Sequence, residues 1–326
     1  MDESGLSAAA AYIADILSAG RSHEQPVEIF TEKDSFFGRL TPEEFRPLPG
    51  EEGARGTAID GGSRTLLDGH TFIVSARRVG AVGGDHRGAE RTLRRDMQVE
   101  ALDRHRHREV FARRYREVAG EDPPGLPDSP EETADGLRAL EEHALAGSLL
   151  EEMEEGDLLM MDGALTGDPL LEPLIGDHCR RAARRGVHLV GVCKRSDLYT
   201  GRLPVLSWIT RQGDRVQEGQ RWYYPLSGER RIYVAKLHPA ARFAFRIDVN
   251  PREEEPRCVL SLLTALADEV SCLGYPYLLA LAHREASISG EEGRLLRDQV
   301  REQVLRQGWS LEDWERVFFD YHRYME

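Results

Sequence analysis

Short apolar runs that drive into a carboxylate set the pattern of this chain. Thr57-Ala58-Ile59 leads into Asp60, with Gly61, Gly62 and Ser63 directly behind. Leu158-Leu159-Met160-Met161 leads into Asp162, followed by Gly163. Such runs read as buried strands, and the acidic residues as the places where the chain leaves the core. Glycines there admit backbone angles closed to other residues and let a large ligand approach the main chain. Thr71–Val82 reads as a further strand, bent or paired as a hairpin antiparallel to its predecessor after a Leu66–Gly69 turn. Val187–Lys194 is an apolar strand ending in a base, behind a helix expected over Pro169–Arg185. Strand, helix, strand from Leu158 to Lys194 predicts a βαβ crossover with parallel pairing. Parallel neighbours bring their C-terminal ends to one edge, so Asp162 and Lys194 are expected to face one cleft, where Lys194 can hold a phosphate oxygen or position a water.

The helical stretches carry a second pattern. Leu6–Leu17 repeats Ala9, Ile13 and Leu17 on one face. Arg91–Val118 reads as helical and strongly basic, a candidate phosphate-contacting arm balanced by Glu100, Glu109 and Glu117. After a proline-bearing loop over Glu121–Pro130, Ser129 as N-cap and Pro130 at the first helical position open a helix to about Glu155. Leu137, Leu140, Ala144, Leu145 and Leu149 form its apolar face. At 100° per residue Glu141 falls within that face and Glu142 toward its edge. A glutamate in an apolar stripe is costly without a partner, which makes Glu141, ahead of Glu142, the candidate third carboxylate.

Farther on, Leu203–Thr210 is expected as a short helix, and Trp222–Leu226, Ile232–Leu237 and Phe243–Asn250 as strands. Pro256–Leu273 reads as a helix with Leu260, Leu263, Ala267 and Val270 inward. Gly274-Tyr275-Pro276-Tyr277 breaks the pattern, and Leu278–Ala286 resumes it around His283. A polar helix over Ser289–Gln307 and an aromatic tail over Trp309–Tyr324 follow. No internal repeat, GxGxxG or phosphate-binding loop occurs.

Composition narrows the classes. A 40% hydrophobic and 31% charged chain of 326 residues suits a soluble globular protein with a sizeable core. No apolar run is long enough for a bilayer, and the N-terminus lacks the flanks of a signal peptide. Four cysteines without CxxC spacing argue against a zinc ribbon or disulfide scaffold and favour a reducing, cytoplasmic setting. The formal net charge of −14 speaks against simple nucleic-acid binding, but base collects in Arg87–Arg116 and Arg180–Arg195, leaving room for a local basic groove.

Two strands ending in Asp-Gly can set two carboxylates side by side at a sheet edge. The pair repels unless a cation or proton sits between them, which points to metal-dependent phosphate chemistry. The ordered set is Ala58-Ile59-Asp60-Gly61-Gly62-Ser63, the Glu141 helix, Met161-Asp162-Gly163-Ala164-Leu165, Val192-Cys193-Lys194-Arg195-Ser196, and Tyr275-Pro276 followed by Ala282-His283-Arg284-Glu285-Ala286. From about Thr57 to Ala286 this set resembles the NurA family of DNA-end-processing nucleases.

The resemblance implies an RNase H-like α/β fold, a mixed sheet with flanking helices and peripheral terminal extensions. It implies a manganese-dependent 5′ to 3′ exonuclease and single-strand endonuclease, with magnesium as an alternative metal and two ions per site. It further implies a homodimer that works on single-stranded DNA and duplex ends with a hexameric HerA-type ATPase translocase during double-strand-break resection. Carried over by motif, Asp60 and Asp162 match the metal-binding aspartates, Glu141 the helical glutamate, Lys194 the basic residue after the βαβ unit, and Tyr275 and His283 the late tyrosine and histidine. Asp60 is assigned as bridging ligand, Glu141 and Asp162 as completing the metal pair, His283 as ligand or proton carrier, and Tyr275 as a base-stacking or phosphate-bonding group. The expected organisation is an extension over 1–55, a nuclease domain over 56–290 with a helical insertion at about 88–135, and a C-terminal helical tail over 291–326. The competing reading is a catalytically silent RNase H-like module that binds nucleic acid or a translocase. A sugar kinase or actin-like ATPase would want glycine-rich phosphate loops in two halves, and only one half is found.

Overall fold

The structure, a computed structural model, describes residues 3–18, 23–31, 34–194 and 198–318. The chain opens with helix α1 (Glu3–Ser18), then strands β1 (His23–Phe30), β2 (Ser35–Leu40) and β3 (Arg46–Pro47). Two long strands follow, β4 (Arg55–Asp68) and β5 (Phe72–Asp85), then β6 (Gly88–Arg94), β7 (Gln98–Asp103), α2 (His107–Ala119) and α3 (Pro130–Glu152). The βαβ segment is β8 (Leu158–Asp162), α4 (Glu172–Arg185) and β9 (His188–Cys193). Then come β10 (Tyr199–Thr200), β11 (Leu203–Pro204), α5 (Val205–Val216), β12 (Trp222–Ser227), β13 (Ile232–Lys236) and β14 (Phe245–Val249). The chain closes with α6 (Pro256–Ala265), α7 (Tyr277–Ala286), α8 (Gly290–Arg306) and α9 (Leu311–Phe318).

Ten strands form a mixed sheet in the order β3-β12-β13-β14-β9-β8-β4-β5-β6, with β7 also pairing β5, and a smaller sheet runs β11-β10-β1-β2. β8 and β9 are parallel, whereas β9, β14, β13 and β12 are successively antiparallel. By contact density the chain divides into two units. One comprises Met1–Ala58, Val82–Arg91 and Leu150–Ala280, the other Ile59–Ala81, Thr92–Leu149 and Leu281–Glu326.

In the first unit, Ile29, Phe36, Leu40 and Phe45 share a core with Trp208, Trp222 and Tyr224. The stretch before β4 is therefore built into the core and is not merely peripheral. On β2 the side chains alternate, so Phe36 is buried while its neighbour Phe37 is exposed. The expected N-terminal helix forms, but Tyr12 and Ile13 on it stay exposed. The helix expected over Pro256–Leu273 stops at Ala265, and Val270 lies outside in a 3-10 turn.

In the second unit, Trp314 of α9 packs with Leu66, Leu67, Val74, Ala76 and Ile288. Residues 319–326 of the expected aromatic tail lie outside the described residues. The expected basic helix over Arg91–Val118 is not one element. Its first part supplies β6 and β7, and only His107–Ala119 is helical. β7 pairs antiparallel with β5 from Phe72↔Asp103 to Arg77↔Gln98. Pairing on an existing strand overrides the helix preference of an arginine- and glutamate-rich segment.

Candidate metal centre

Asp162 ends β8, as its position behind four buried apolar residues predicts. The parallel register sets Asp162 opposite Val192, and Lys194 follows two residues on, so the βαβ geometry brings base to acid. Lys194 Nζ donates to Asp162 Oδ2 at 2.7 Å. The Tyr275 hydroxyl donates to the other oxygen, Oδ1, at 3.3 Å. The Tyr275 ring is buried against Phe245, with centroids 5.1 Å apart, so it does not offer the open face that base stacking needs. Arg195 and Ser196 of the same motif lie outside the described residues.

Behind Asp162 the chain turns at Gly163, whose φ of +123° is strained for any residue with a Cβ. The turn is braced by Asp248, a fully buried carboxylate that the sequence pattern does not single out. Asp248 Oδ2 accepts from the Leu165 amide at 3.1 Å and the Thr166 hydroxyl at 2.9 Å, and Arg246 clamps both its oxygens at 2.8 and 2.9 Å. Its only trace in the sequence is an acid inside an otherwise apolar strand.

Asp60 is placed differently from its expectation. β4 runs on to Asp68, so Asp60 sits within the strand and is buried. Gly61 and Gly62 do not end the strand; they make room for helices. A Cβ on Gly61 would collide with the Glu142 carboxylate and reach Arg138 Cγ at 2.9 Å, and one on Gly62 would strike the Ala286 backbone. Gly80 on β5 has the same role, since a Cβ there would lie 2.9 Å from Glu285 Cβ. These three glycines let α3 and the C-terminal end of α7 approach the strands closely. The approach carries His283 to Asp60, and its Nδ1 lies 2.7 Å from Asp60 Oδ2. With Nδ1 donating to the carboxylate, the lone pair of a neutral ring is on Nε2.

Helix α3 places Glu142, not Glu141, beside this strand. Glu142 is buried and ion-paired with Arg138 four residues earlier. The Arg138 guanidinium is held charged even more firmly than usual, chiefly by Glu142, with Asp135 and Asp60 adding to it. Glu141 instead accepts a bidentate pair from Arg114 at 2.8 and 2.7 Å. The helical projection put Glu141 ahead of Glu142, whereas the structure sets Glu142 beside Gly61 of β4 and Glu141 against Arg114. It centred the apolar face on the leucines, whereas the side that meets β4 lies one residue farther round.

Much of the expected phosphate-contacting arm is spent on carboxylates. Arg91 pairs with Glu152, Arg94 with Glu292, Arg108 with Asp128, Arg114 with Glu141 and Arg116 with Asp122. His107 is buried with Nδ1 at 2.7 Å from the Thr133 hydroxyl, while His105 is exposed.

Among the described residues, Asp60 and His283 offer a carboxylate and an imidazole nitrogen within one unit, and Asp162 offers a carboxylate within the other. Two hard carboxylates with one imidazole suit a divalent cation of the Mg²⁺ or Mn²⁺ kind, so the donor set fits the implied metal.

A family model, the NurA domain, matches residues 56–288, more than half of the chain. The chain belongs to the NurA family. The NurA nuclease from Sulfolobus solfataricus is similar to it in structure, at 15% identity and a TM-score of 0.52 over 82% of this chain and 89% of that one. A second NurA crystal structure is 12% identical with a TM-score of 0.50, over 83% of this chain and 92% of that one. At such identities the likeness speaks for the fold, and the mixed sheet with flanking helices expected from sequence is observed here and is similar to that of the NurA nuclease. No curated protein matches the chain. No helix among the described residues is long and apolar enough to cross a membrane.

Proposed function

We propose that this NurA-family chain is a metal-dependent DNA nuclease with Asp60, Glu142, Asp162 and His283 as its metal-binding set. The observation that supports the reading is the buried Asp60–His283 pair of one unit and the strand-end Asp162 of the other, both within a NurA domain. Divalent cations held there would supply charge neutralisation on the entering and leaving oxygens of an in-line displacement. Asp60 would hold the metal and accepts a hydrogen bond that orients His283. His283 is a ligand or proton carrier through Nε2. Lys194, paired with Asp162, contacts a phosphate oxygen, and Tyr275 positions Asp162 through its hydroxyl. The reading extends to manganese as the working ion, to 5′ to 3′ exonuclease and single-strand endonuclease action on DNA ends, to a homodimer, and to a HerA-type ATPase that feeds it DNA during break resection. The apolar face of α1 left exposed at Tyr12 and Ile13 is a candidate contact for a second copy or for that partner.

One observation favours the second reading, a silent module that binds nucleic acid or a translocase. Asp60 is hydrogen-bonded to His283 and Asp162 is ion-paired with Lys194, so each carboxylate already has a partner without a cation. The deciding measurement is degradation of end-labelled linear DNA with Mn²⁺, Mg²⁺ or EDTA, beside Asp60→Ala. Metal-dependent loss of label that vanishes in the variant is expected. No cleavage with either metal, with and without a HerA-type partner, leaves the silent module.

A further inference from the structure

We infer that the buried Arg246–Asp248 pair is a positioning device for Asp162, acting through the loop behind that aspartate to hold it in its metal-binding pose. The inference deepens the metal-dependent nuclease reading and rests on it for the chemistry that Asp162 performs.

The sheet register puts the parts in line. Met161, Gly191 and Asp248 stand opposite one another across β8, β9 and β14. The chain leaving β8 is tied to β9 at once, where the Gly163 amide donates to the Val192 carbonyl at 3.1 Å. It then doubles back over β9 at Gly191. A Cβ on Gly191 would strike the Gly163 carbonyl oxygen and come within 3.1 Å of the Leu165 nitrogen. Beyond Gly191 the loop meets Asp248, whose Oδ2 accepts from the Leu165 amide and the Thr166 hydroxyl. Asp162 thus lies between the end of a strand and a loop whose far anchor is this carboxylate.

Stability alone does not explain the pair. Asp248 is fully buried and Arg246 is more than nine-tenths buried. A buried ion pair is commonly no more stabilising than apolar residues of the same volume. What apolar residues lack is an acceptor for the loop. Arg246 grips that acceptor in a fixed plane through two bonds, and its Nη2 also donates to the Thr166 hydroxyl at 3.0 Å. The hold matters because Gly163, at a φ of +123°, has no Cβ to limit its rotation. A loop released from Asp248 can swing about Gly163 and turn the peptide that joins it to Asp162. Lys194 and Tyr275 bond the carboxylate of Asp162 and not its backbone, so they do not replace the loop. A ligand carboxylate needs to be held to within about 0.5 Å, which is the task assigned to the pair.

The test compares two double variants of the full chain. Arg246→Met with Asp248→Asn gives up the ion pair but keeps a carbonyl oxygen for the loop. Arg246→Met with Asp248→Leu gives up both. Urea melts report the fold, and Mn²⁺ affinity is read without DNA from the paramagnetic resonance signal of the free ion. Asp162→Asn sets the scale for loss of that ligand. The Leu variant should resist urea at least as well as the Asn variant, whose amide nitrogen is left without an acceptor. It should nevertheless bind Mn²⁺ roughly 10- to 100-fold more weakly than wild type, as when an outer partner of a metal ligand is removed. The Asn variant should recover to within about threefold of wild type, because the loop keeps both of its bonds. A merely structural pair gives the opposite order, with affinity following stability. Unchanged affinity in the Leu variant, or equal losses in both double variants, overturns the proposal. Should neither double variant fold, Thr166→Val decides: removal of one loop bond should weaken Mn²⁺ binding about two- to fivefold, and an unchanged affinity overturns the proposal. Cleavage of end-labelled DNA is scored separately. An Asp162→Asn variant that binds Mn²⁺ as wild type does refutes the metal centre and the proposal together. The expected order of affinities without cleavage refutes only the nuclease, and cleavage with an affinity indifferent to the Leu variant refutes only the positioning pair.

Discussion

Asp60 and Asp162 follow the same local pattern, an apolar run into Asp-Gly, yet they are held in opposite ways. Asp162 stands at a true strand end, half-buried, with a lysine and a tyrosine hydroxyl on its two oxygens. Asp60 lies inside a fourteen-residue strand, buried, with an imidazole brought from 223 residues away. The glycines differ for the same reason. Gly163 is needed for its backbone angle, with nothing within 4 Å of where a Cβ would stand, whereas Gly61 and Gly62 are needed for space. One motif thus has two physical causes. A turn that re-aims the chain positions Asp162, and a close helix approach positions the partner of Asp60.

The largest expected effect tests whether the two acids are equals. Asp60→Asn and Asp162→Asn should each lower Mn²⁺-dependent cleavage by roughly 10³-fold, since groups that act as a unit fail singly. Circular dichroism should be unchanged, because the amide keeps the shape. Cleavage within tenfold of wild type in either variant removes that aspartate from the site.

Next comes the helical carboxylate. Glu142→Gln should cost on the order of 10²-fold in rate, as removal of one charge-stabilising group does, while Glu141→Gln should stay within about threefold. The reverse ranking would restore the choice made from the helical projection.

Smaller effects separate the two glycine types. Gly61→Ala should lose about 1–3 kcal/mol by overpacking against Glu142. Gly163→Ala should lose a similar amount, about 1–3 kcal/mol, through backbone strain alone. A small-to-large contrast distinguishes them in urea melts: Gly61→Val should be far worse than Gly61→Ala, but Gly163→Val little worse than Gly163→Ala. Equal steps at both sites would undo the distinction between space and angle. The smallest change is Tyr275→Phe, which removes one long hydrogen bond to Asp162. It should lower the rate by about two- to fivefold, in line with a net bond worth about 0.5–1 kcal/mol. A loss beyond a hundredfold would give the hydroxyl a direct part in the chemistry.

What could be read in advance follows the range of the forces. The βαβ unit and the meeting of Asp162 with Lys194 were legible because a parallel crossover constrains neighbours within a few dozen residues. Ser129 and Pro130 marked the start of α3 because capping is a matter of adjacent residues. The split of Arg91–Val118 into two strands and a helix was not legible, since β7 exists by pairing with a strand some twenty residues earlier. Placing Glu142 and not Glu141 beside β4 needed the angle at which α3 meets the sheet, which a wheel projection does not contain. His283 was singled out through family resemblance and not through spacing, and its partner emerged only in the fold.

The sequence by itself determined the residue types and the local frame: hard acidic ligands on apolar strands, a base directly behind the partner strand, and glycines where no side chain fits. These depend on burial and chain geometry over short distances. The tertiary structure alone decided which acid meets which base, because hydrogen bonds of about 2.7 Å between residues far apart are set by how closely helices can press on glycine-faced strands. It also decided which carboxylate each arginine of β5, β6 and α2 is spent on, a distinction that composition cannot express.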